Sequence, residues 1–237
     1  MSDLHRTRDI PTQIKNPELV ERRRRQIADA AVRLFVLNGY DKTTTRQIAR
    51  ASRLSIGSLY EYFATKEDVL YLVMDTIYQE IEKALSSVCS KGAKGRNALK
   101  DLIRQYFLVC HRMSDYMLLL YQETHVLTRE WRKRVLKNEL GITGIFETIV
   151  RAVFEAKGYK NPKSRHIQLT AHNISVMAHM WTFRRWALAR DWDIEEYIEY
   201  QTGFIMAYID KQLESGEYKS HHPDENEPTG DQSGRRT

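Results

Sequence analysis

Residues 43–66, TTTRQIARASRLSIGSLYEYFATK, contain two short helical patterns separated by a tight break. Thr44 or Thr45 can cap the first helix, whose inward face holds Ile48 and Ala49. Ser55 can cap the second helix, where large residues recur at three- and four-residue spacing at Leu59, Tyr60 and Phe63. Two short helices around a tight turn form a helix-turn-helix, and a first turn of small residues lets the backbone approach a phosphate or base edge. The stretch therefore predicts a reader of the DNA major groove rather than an active site.

Further residues match a known pattern along 27–70. In chain order the matching positions are Gly39-Tyr40, Thr43-Thr44, Ile48-Ala49, Ser55-Ile56-Gly57-Ser58-Leu59-Tyr60, Phe63 and Lys66-Glu67. With so many matches at fixed spacing, the chain resembles the TetR family of transcriptional regulators. The resemblance implies an all-α protein: an N-terminal three-helix helix-turn-helix DNA-binding domain, followed by a C-terminal helical bundle for ligand binding and dimerisation.

The turn between the two short helices departs from that family pattern. The family usually has a small residue, often Gly, where this chain has Arg53. If the backbone keeps a positive φ at this position, Arg costs on the order of 1 kcal/mol there. We therefore expect the turn to be either strained or differently shaped.

The residues expected to touch DNA have different roles. Arg46 and Gln47 are candidates for base edges, because Arg can grip guanine and Gln adenine in the major groove. Ile56, Gly57 and Ser58 would lie close to bases or thymine methyl groups. In the resembled family the lysine that opens the next helix meets a phosphate, and a helix N-terminus favours an anion for the same reason. Phosphates would be held by Thr44, Tyr60, Tyr62 and Lys66, and Thr45 and Ser55 complete the expected DNA-binding set.

Helix signals divide the chain into four segments. Asn16 and Pro17 begin a helix that Gly39 ends, and Lys66 opens a long helix that leaves the DNA-binding domain. No pattern of period two occurs, so no strand is predicted. We expect a flexible arm at 1–16, the helix-turn-helix domain at 17–66, the ligand-binding and dimerisation domain at 67–213 and a disordered tail at 214–237.

The predicted bundle is larger than a support for a small DNA-binding domain requires. Its helices are expected to begin near Ser114, after Thr128, at Asn161-Pro162 and after Asp193, and the helix after Thr128 would turn Leu136 and Leu140 inward. The last two helices are the best candidates for a homodimer contact, which suits a protein that reads two half-sites. The aromatic and apolar residues behind this prediction are Trp186, Tyr197, Phe204, Ile205 and Tyr208; an ordinary core stripe is the alternative for each of them.

The second half of the bundle resembles one branch of the same family. That branch has a Tyr-Gln-Glu-type segment and a later Trp-x-x-x-Arg-Trp segment, here Tyr121-Gln122-Glu123 and Trp181 to Trp186. Several members are repressors released by coenzyme A thioesters, which implies an apolar tunnel with basic residues at its mouth. The tunnel candidates are Met117, Leu120, Tyr121, Met177, Met180 and Trp181, and Arg184 and Arg185 would meet the phosphates; the same residues could also be plain core and solvated arginines. A multidrug- or metabolite-sensing repressor with a non-CoA ligand is the alternative function.

Composition and charge are consistent with a folded protein that binds DNA. The 237 residues are 42% hydrophobic, enough for a real core, and the formal net charge is +6. Positive charge is densest in residues 1–66, as phosphate binding requires, and residues 22–25 form either a solvated arginine cluster or phosphate contacts. The partners predicted are double-stranded operator DNA, a small-molecule effector and a second copy of the chain.

Other classes find little support in the sequence. No apolar run is long enough to span a membrane and no signal peptide is recognisable, so a cytoplasmic protein without membrane contact is expected. Cys89 and Cys110 are expected to be buried free thiols. His172 and His179 lie about 10 Å apart along a helix, too far for one ion without partners. Because no catalytic motif is present either, neither a metal, a cofactor nor an enzymatic activity is predicted.

Overall fold

The protein is all-helical throughout the part that the structure, a computed structural model, describes: residues 10, 12, 14–90, 92, 94–159 and 164–215. Those residues hold no strand, which confirms the predicted fold class. Most of the predicted arm, the predicted start at Asn161-Pro162 and nearly all of the predicted tail lie outside the described residues. The described helices are α1 Pro17–Asn38, α2 Thr45–Ala51, α3 Ile56–Tyr60, α4 Lys66–Ser90, α5 Gly95–Arg112, α6 Ser114–Glu123, α7 Arg129–Glu155, α8 Ser164–Leu188 and α9 Ile194–Glu214, with a 3-10 turn at Thr124–Val126 before α7.

Local caps set several of the helix ends, as predicted. Asn16 Oδ1 accepts from the backbone N–H of Leu19 at 3.1 Å at the start of α1, and Gly39 ends that helix with a φ of +80°. Thr44 caps α2, and Asp193 caps α9 in a capping box with Glu196. These contacts involve residues close in sequence, so the helix ends follow from local chemistry alone.

The turn between α2 and α3 closes in a left-handed conformation at Arg53, whose φ is +56°. The N–H of Leu54 donates to the carbonyl of Ala49 at 2.9 Å, and the N–H of Arg53 donates to the carbonyl of Arg50 at 3.1 Å. This pair of bonds is a Schellman motif, in which Gly is the favoured residue at the position of Arg53. Of the two alternatives left open by the sequence, a strained turn or a different shape, the structure therefore has the first, with Arg at a positive φ.

Interactions across the DNA-binding domain hold α1 against the helix-turn-helix. Lys66 Nζ donates to the carbonyls of Tyr40 (2.9 Å), Asp41 (3.3 Å) and Thr43 (3.1 Å) and lies 4.1 Å from the centre of the Tyr40 ring. Arg24 is buried and donates to the carbonyls of Ile10 (2.6 Å) and Tyr62 (3.2 Å). Arg24 is thus not part of a solvated cluster. Both cations bind backbone carbonyls inside this domain.

Several bundle residues lie elsewhere than predicted. Leu136 and Leu140 are exposed on α7, whereas Tyr197 and Ile205 are buried in the chain's own core. Helix α6 ends at Glu123, where a 3-10 turn follows it. Cys89 is exposed and Cys110 buried, so the expectation that both thiols are buried is half wrong. Helix α8 packs chiefly on α7, and α9 lies along α5.

The substitution Arg53→Gly should stabilise the protein by about 0.5–1 kcal/mol. Relief of the left-handed strain contributes about 1–2 kcal/mol, and the greater freedom of Gly in the unfolded chain removes part of that gain. Urea unfolding measures the change. Arg53→Ala is the matched control, because it removes the same charge but keeps a Cβ at a positive φ; an equal gain for both variants would rule out backbone strain as the cause.

Candidate nucleic-acid interface and bundle core

One face of the helix-turn-helix is open and basic. Arg46, Gln47 and Arg50 are exposed on α2, and Arg53 is exposed in the turn that follows. On α3, Ile56 and Gly57 are exposed, while Leu59 is fully buried in the core. A helix with a small, uncovered first turn can approach a duplex closely. Arg50 and Arg53 were not among the predicted contacts, although their charge was visible in the sequence.

The predicted DNA contacts divide into three groups. Ser55, Ile56, Gly57, Ser58, Thr44, Thr45, Arg46, Gln47 and Tyr60 all lie on or beside the open face. Tyr60 is 49% exposed, and its hydroxyl lies 3.2 Å from Thr45 Oγ1. Tyr62 is only 4% exposed, which disagrees with a role at a phosphate. Lys66 already has three carbonyl acceptors, so its expected phosphate contact stays a prediction without support from its geometry.

Gln47 has a structural role that the sequence reasoning missed. Its Oε1 accepts from the backbone N–H of Thr44 at 2.8 Å and lies 3.0 Å from Thr44 Oγ1, which completes a capping box. A bidentate contact with adenine needs both the amide oxygen and the amide nitrogen. Gln47 can therefore read adenine in that manner only if its contact with Thr44 breaks.

A buried imidazole joins three helices at the centre of the bundle. His179 on α8 is 2% exposed; its Nε2 lies 2.7 Å from the hydroxyl of Tyr106 on α5, and its Nδ1 lies 2.7 Å from the hydroxyl of Tyr121 on α6. Burial lowers the pKa of His179 to about 4, so the ring is neutral near pH 7. A neutral imidazole has one donor and one acceptor nitrogen, and the two tyrosines satisfy both.

A carboxylate lies in the same region. Glu139 on α7 accepts from the hydroxyl of Tyr78 at 3.4 Å, and burial raises the pKa of Glu139. Burial, followed by the charge of Glu139, raises the pKa of Tyr121 to about 12. The bundle core thus contains a linked polar cluster of Tyr78, Tyr106, Tyr121, Glu139 and His179, which we call the core polar cluster.

The predicted ligand residues do not all face one space. Met117, Leu120 and Trp181 are buried, Met177 is half-buried, and Tyr121, Met180, Arg184 and Arg185 are exposed. The Trp181 indole N–H donates to His111 Nδ1 at 2.8 Å, and the Arg184 guanidinium lies 5.0 Å from the Trp186 ring. Tyr121 alone of this set belongs to the core polar cluster.

Two surface grooves lie away from these residues. A groove of about 500 Å³ runs between α5 and α9 and is lined in part by Lys100, Arg104, Glu195, Ile198 and Met206. A smaller one of about 230 Å³ lies at the start of α5 beside the end of α7. None of the predicted tunnel residues lines either groove.

Contacts between the two halves of the molecule run through α1, α4 and α6. The hydroxyl of Tyr116 on α6 donates to Asp29 on α1 at 2.5 Å, and Arg25 on α1 pairs with Glu80 on α4 at 3.0 Å. Movement of α6 would therefore act directly on the first helix of the DNA-binding domain.

Among the described residues, no group of three His, Cys, Asp or Glu side chains is arranged to hold a metal ion. His172 is exposed, whereas His179 is buried. None of the described helices combines the length and apolar character needed to cross a membrane.

Comparison with known proteins places these features in context. Residues 27–71 match the family described as "Bacterial regulatory proteins, tetR family". The chain is 31% identical over 201 residues to the HTH-type transcriptional regulator HbdR of Aromatoleum sp. (strain CIB), covering 83% of this chain and 85% of that protein. It is 29% identical over 121 residues to a fatty acid metabolism regulator protein of Bacillus subtilis (strain 168), covering 49% of this chain and 62% of the relative.

A solved structure shares the fold. The regulator AibR, crystallised in complex with isovaleryl coenzyme A and operator DNA, superposes with a TM-score of 0.62 at 22% identity, over 77% of this chain and 97% of that one. At this level of identity the likeness concerns the fold alone.

The buried imidazole predicts a specific pH dependence. Because the pKa of His179 falls from an ordinary 6.5 to about 4 in the folded protein, its contribution to stability is complete above pH 6.5 and is lost as the pH falls towards 4. The loss is about 3 kcal/mol, from 1.36 kcal/mol per pKa unit.

His179→Gln isolates this effect, since Gln does not titrate and every other ionisable group is shared. The wild type should lose about 3 kcal/mol of unfolding free energy relative to the variant between pH 7 and pH 4, measured by urea unfolding at each pH. A difference that does not change with pH would mean that His179 is already free to protonate in the folded state.

Proposed function

Because the chain belongs to the TetR family of transcriptional regulators, we propose that it is a repressor that binds operator DNA as a dimer and leaves it when a small apolar or acyl-CoA effector binds the bundle. The observation that carries the proposal is the open face of α3 beside the exposed arginines of α2. In this proposal residues 17–66 read DNA and residues 67–213 bind the effector and the second subunit.

The proposed DNA contacts follow from exposure and chemistry. Arg46 is the candidate for a guanine edge, and Ile56, Gly57 and Ser58 lie close to bases. Tyr60 and the exposed Arg50 and Arg53 serve as phosphate contacts, as do Thr44, Thr45 and Ser55 where the backbone runs beside them. Tyr62 and Lys66 are left out, because one is buried and the other is bound to carbonyls.

Exposed apolar stripes on the last two helices support the proposed dimer. On α8, Leu169, Val176 and Met180 recur at seven- and four-residue spacing, and on α9, Tyr200 and Phe204 are four residues apart. Phe204 is 59% exposed. Such stripes are typical of an interface between copies, and a two-fold pair would present two reading helices to successive major grooves.

Two observations support an acyl-CoA thioester as the effector: exposed arginines on α8 and the names of similar proteins. Arg184 and Arg185 are exposed near the end of α8, where they are available to phosphates. The B. subtilis relative is named for fatty acid metabolism, and the AibR structure holds isovaleryl coenzyme A. Release then requires that the effector bind better to the conformation that no longer fits the operator.

The function is tested by gel-shift titration of the full chain against the DNA upstream of its own gene, with and without a panel of acyl-CoA thioesters. We expect binding at least about 10³-fold tighter than to unrelated DNA, and at least tenfold weakening by one thioester. Release of DNA only by apolar compounds without CoA would refute the proposal of a thioester effector and favour the non-CoA alternative. DNA binding that is independent of sequence and that no compound alters would refute the proposal of a ligand-controlled regulator.

The same titration assigns Arg46. Arg46→Ala should weaken the binding of DNA that carries the preferred base by about 1–3 kcal/mol and should reduce the discrimination between bases at that position. Arg132→Ala, which removes an exposed arginine from α7, is the control and should leave the preference unchanged. Equal losses on every sequence would make Arg46 a phosphate contact.

The proposed dimer is tested by placing a charge in the exposed stripe. Phe204→Glu should sediment as a monomer and lose most operator affinity, because a buried carboxylate is costly at an apolar interface. Leu136→Glu changes an equally exposed apolar residue on α7 and should remain dimeric. Dissociation of both variants, or of neither, would contradict the assignment of the interface to α8 and α9.

A further inference from the structure

Tyr121 connects the surface of the bundle to its buried centre. The residue is 52% exposed, yet its hydroxyl reaches Nδ1 of His179, which is 2% exposed. Its ring meets Phe183 edge to face, with centroids 4.8 Å apart. The hydroxyl of Tyr121 therefore lies inside the bundle, while part of its ring is exposed to solvent.

The two hydrogen bonds of His179 differ in how firmly they are held. Tyr106 is completely buried and packs against Phe146, with centroids 5.2 Å apart, so its contact with Nε2 is fixed by the core. Tyr121 lies at the surface, where, among the described residues, only edge contacts of its ring with Phe183 and His179 oppose a rotation that takes its hydroxyl away from Nδ1. Leaving a buried ring nitrogen without a partner is unfavourable, so another hydroxyl must then take its place.

We propose that His179 recognises a hydroxyl group on the buried end of the effector, and that this hydroxyl replaces that of Tyr121 at Nδ1. The inference rests on the proposed function and names the chemical class of its ligand. A phenolic ring fits best, because the side chain that leaves is itself a phenol and vacates a space of that shape. The Tyr121 hydroxyl occupies the recognition position when no effector is bound.

The charges around the imidazole select a neutral hydroxyl over a carboxylate. His179 is 2% exposed, so an anion beside its ring would lose its hydration, and Glu139, which contributes after burial to the raised pKa of Tyr121, is an acidic group in the same cluster. The imidazole itself is neutral and offers no compensating positive charge. A hydroxyl can donate or accept at Nδ1, whichever the tautomer requires.

The test uses phenol, toluene and benzoate as probes of the full chain without DNA. In protein labelled with ¹⁵N-histidine, phenol should shift the His179 ring resonance in a saturable manner, and toluene, which has similar size but no hydroxyl, should bind at least tenfold more weakly. Benzoate should produce no shift. Equal binding of phenol and toluene, or stronger binding of benzoate, would overturn the proposal.

Two variants sharpen the test. Tyr121→Phe keeps the ring but removes the competing hydroxyl, which both probes must displace in the wild type. Phenol and toluene should therefore each bind about tenfold more tightly to the variant, and phenol should keep its advantage over toluene. Tyr208→Phe is the matched control, because Tyr208 also faces a histidine, His166, at 3.5 Å, and should change neither affinity. An unchanged phenol affinity in Tyr121→Phe would show that the two hydroxyls do not compete.

The outcome is separable from that of the proposed function. If phenol binds at His179 but no compound releases operator DNA, the repressor proposal fails and the hydroxyl site stands. If a thioester releases DNA equally well with and without a ring hydroxyl, the repressor stands and the hydroxyl site fails.

Discussion

Helix α4 runs through both halves of one continuous hydrophobic core, and this constraint governs the rest of the structure. Its residues from Val69 to Tyr78 are all buried, as are Ile81, Leu85 and Val88 beyond. The helix packs on α1 in the N-terminal half and on α5, α6 and α7 in the bundle. Because one rigid element of about 37 Å serves both halves, neither half can change its packing on α4 without consequence for the other.

Buried polar groups lie on both sides of that shared helix. Asp75, on the side towards α1, has its pKa raised to about 6 by burial, and bonds from Gln79 and Tyr71 and the charge of Arg24 partly offset this effect. On the bundle side, His179 is kept neutral by burial. Buried polar groups are stable only in arrangements that satisfy them, so each side favours a small number of discrete packings rather than a continuum.

The features that could be predicted from the sequence are those formed by residues close together in the chain. The contacts that bring together side chains from several helices could not be predicted. The caps at Asn16 and Asp193 involve residues within a few positions, and these predictions are confirmed. At Arg53 the sequence left a positive φ and a differently shaped turn open, and the structure has the positive φ. Lys66 was expected to contact a phosphate. The sequence near Lys66 does not reveal that its ammonium group instead donates to carbonyls more than 20 residues earlier in the chain. Likewise the spacing of His179 indicated its face of α8 but not the tyrosines that meet it from α5 and α6.

Helix α6 connects the bundle core to α1, the first helix of the DNA-binding domain. Tyr121 contacts His179 in the bundle, and Tyr116, five residues earlier and about 7.5 Å along the axis, donates to Asp29 of the DNA-binding domain. A helix of ten residues is too short to absorb a displacement internally, and the 3-10 turn that follows it is a weaker constraint than a continuous helix. In the proposed function, withdrawal of the Tyr121 side chain from the core would therefore change the contact of Tyr116 with α1, and α6 by itself would connect the effector to the DNA-binding residues.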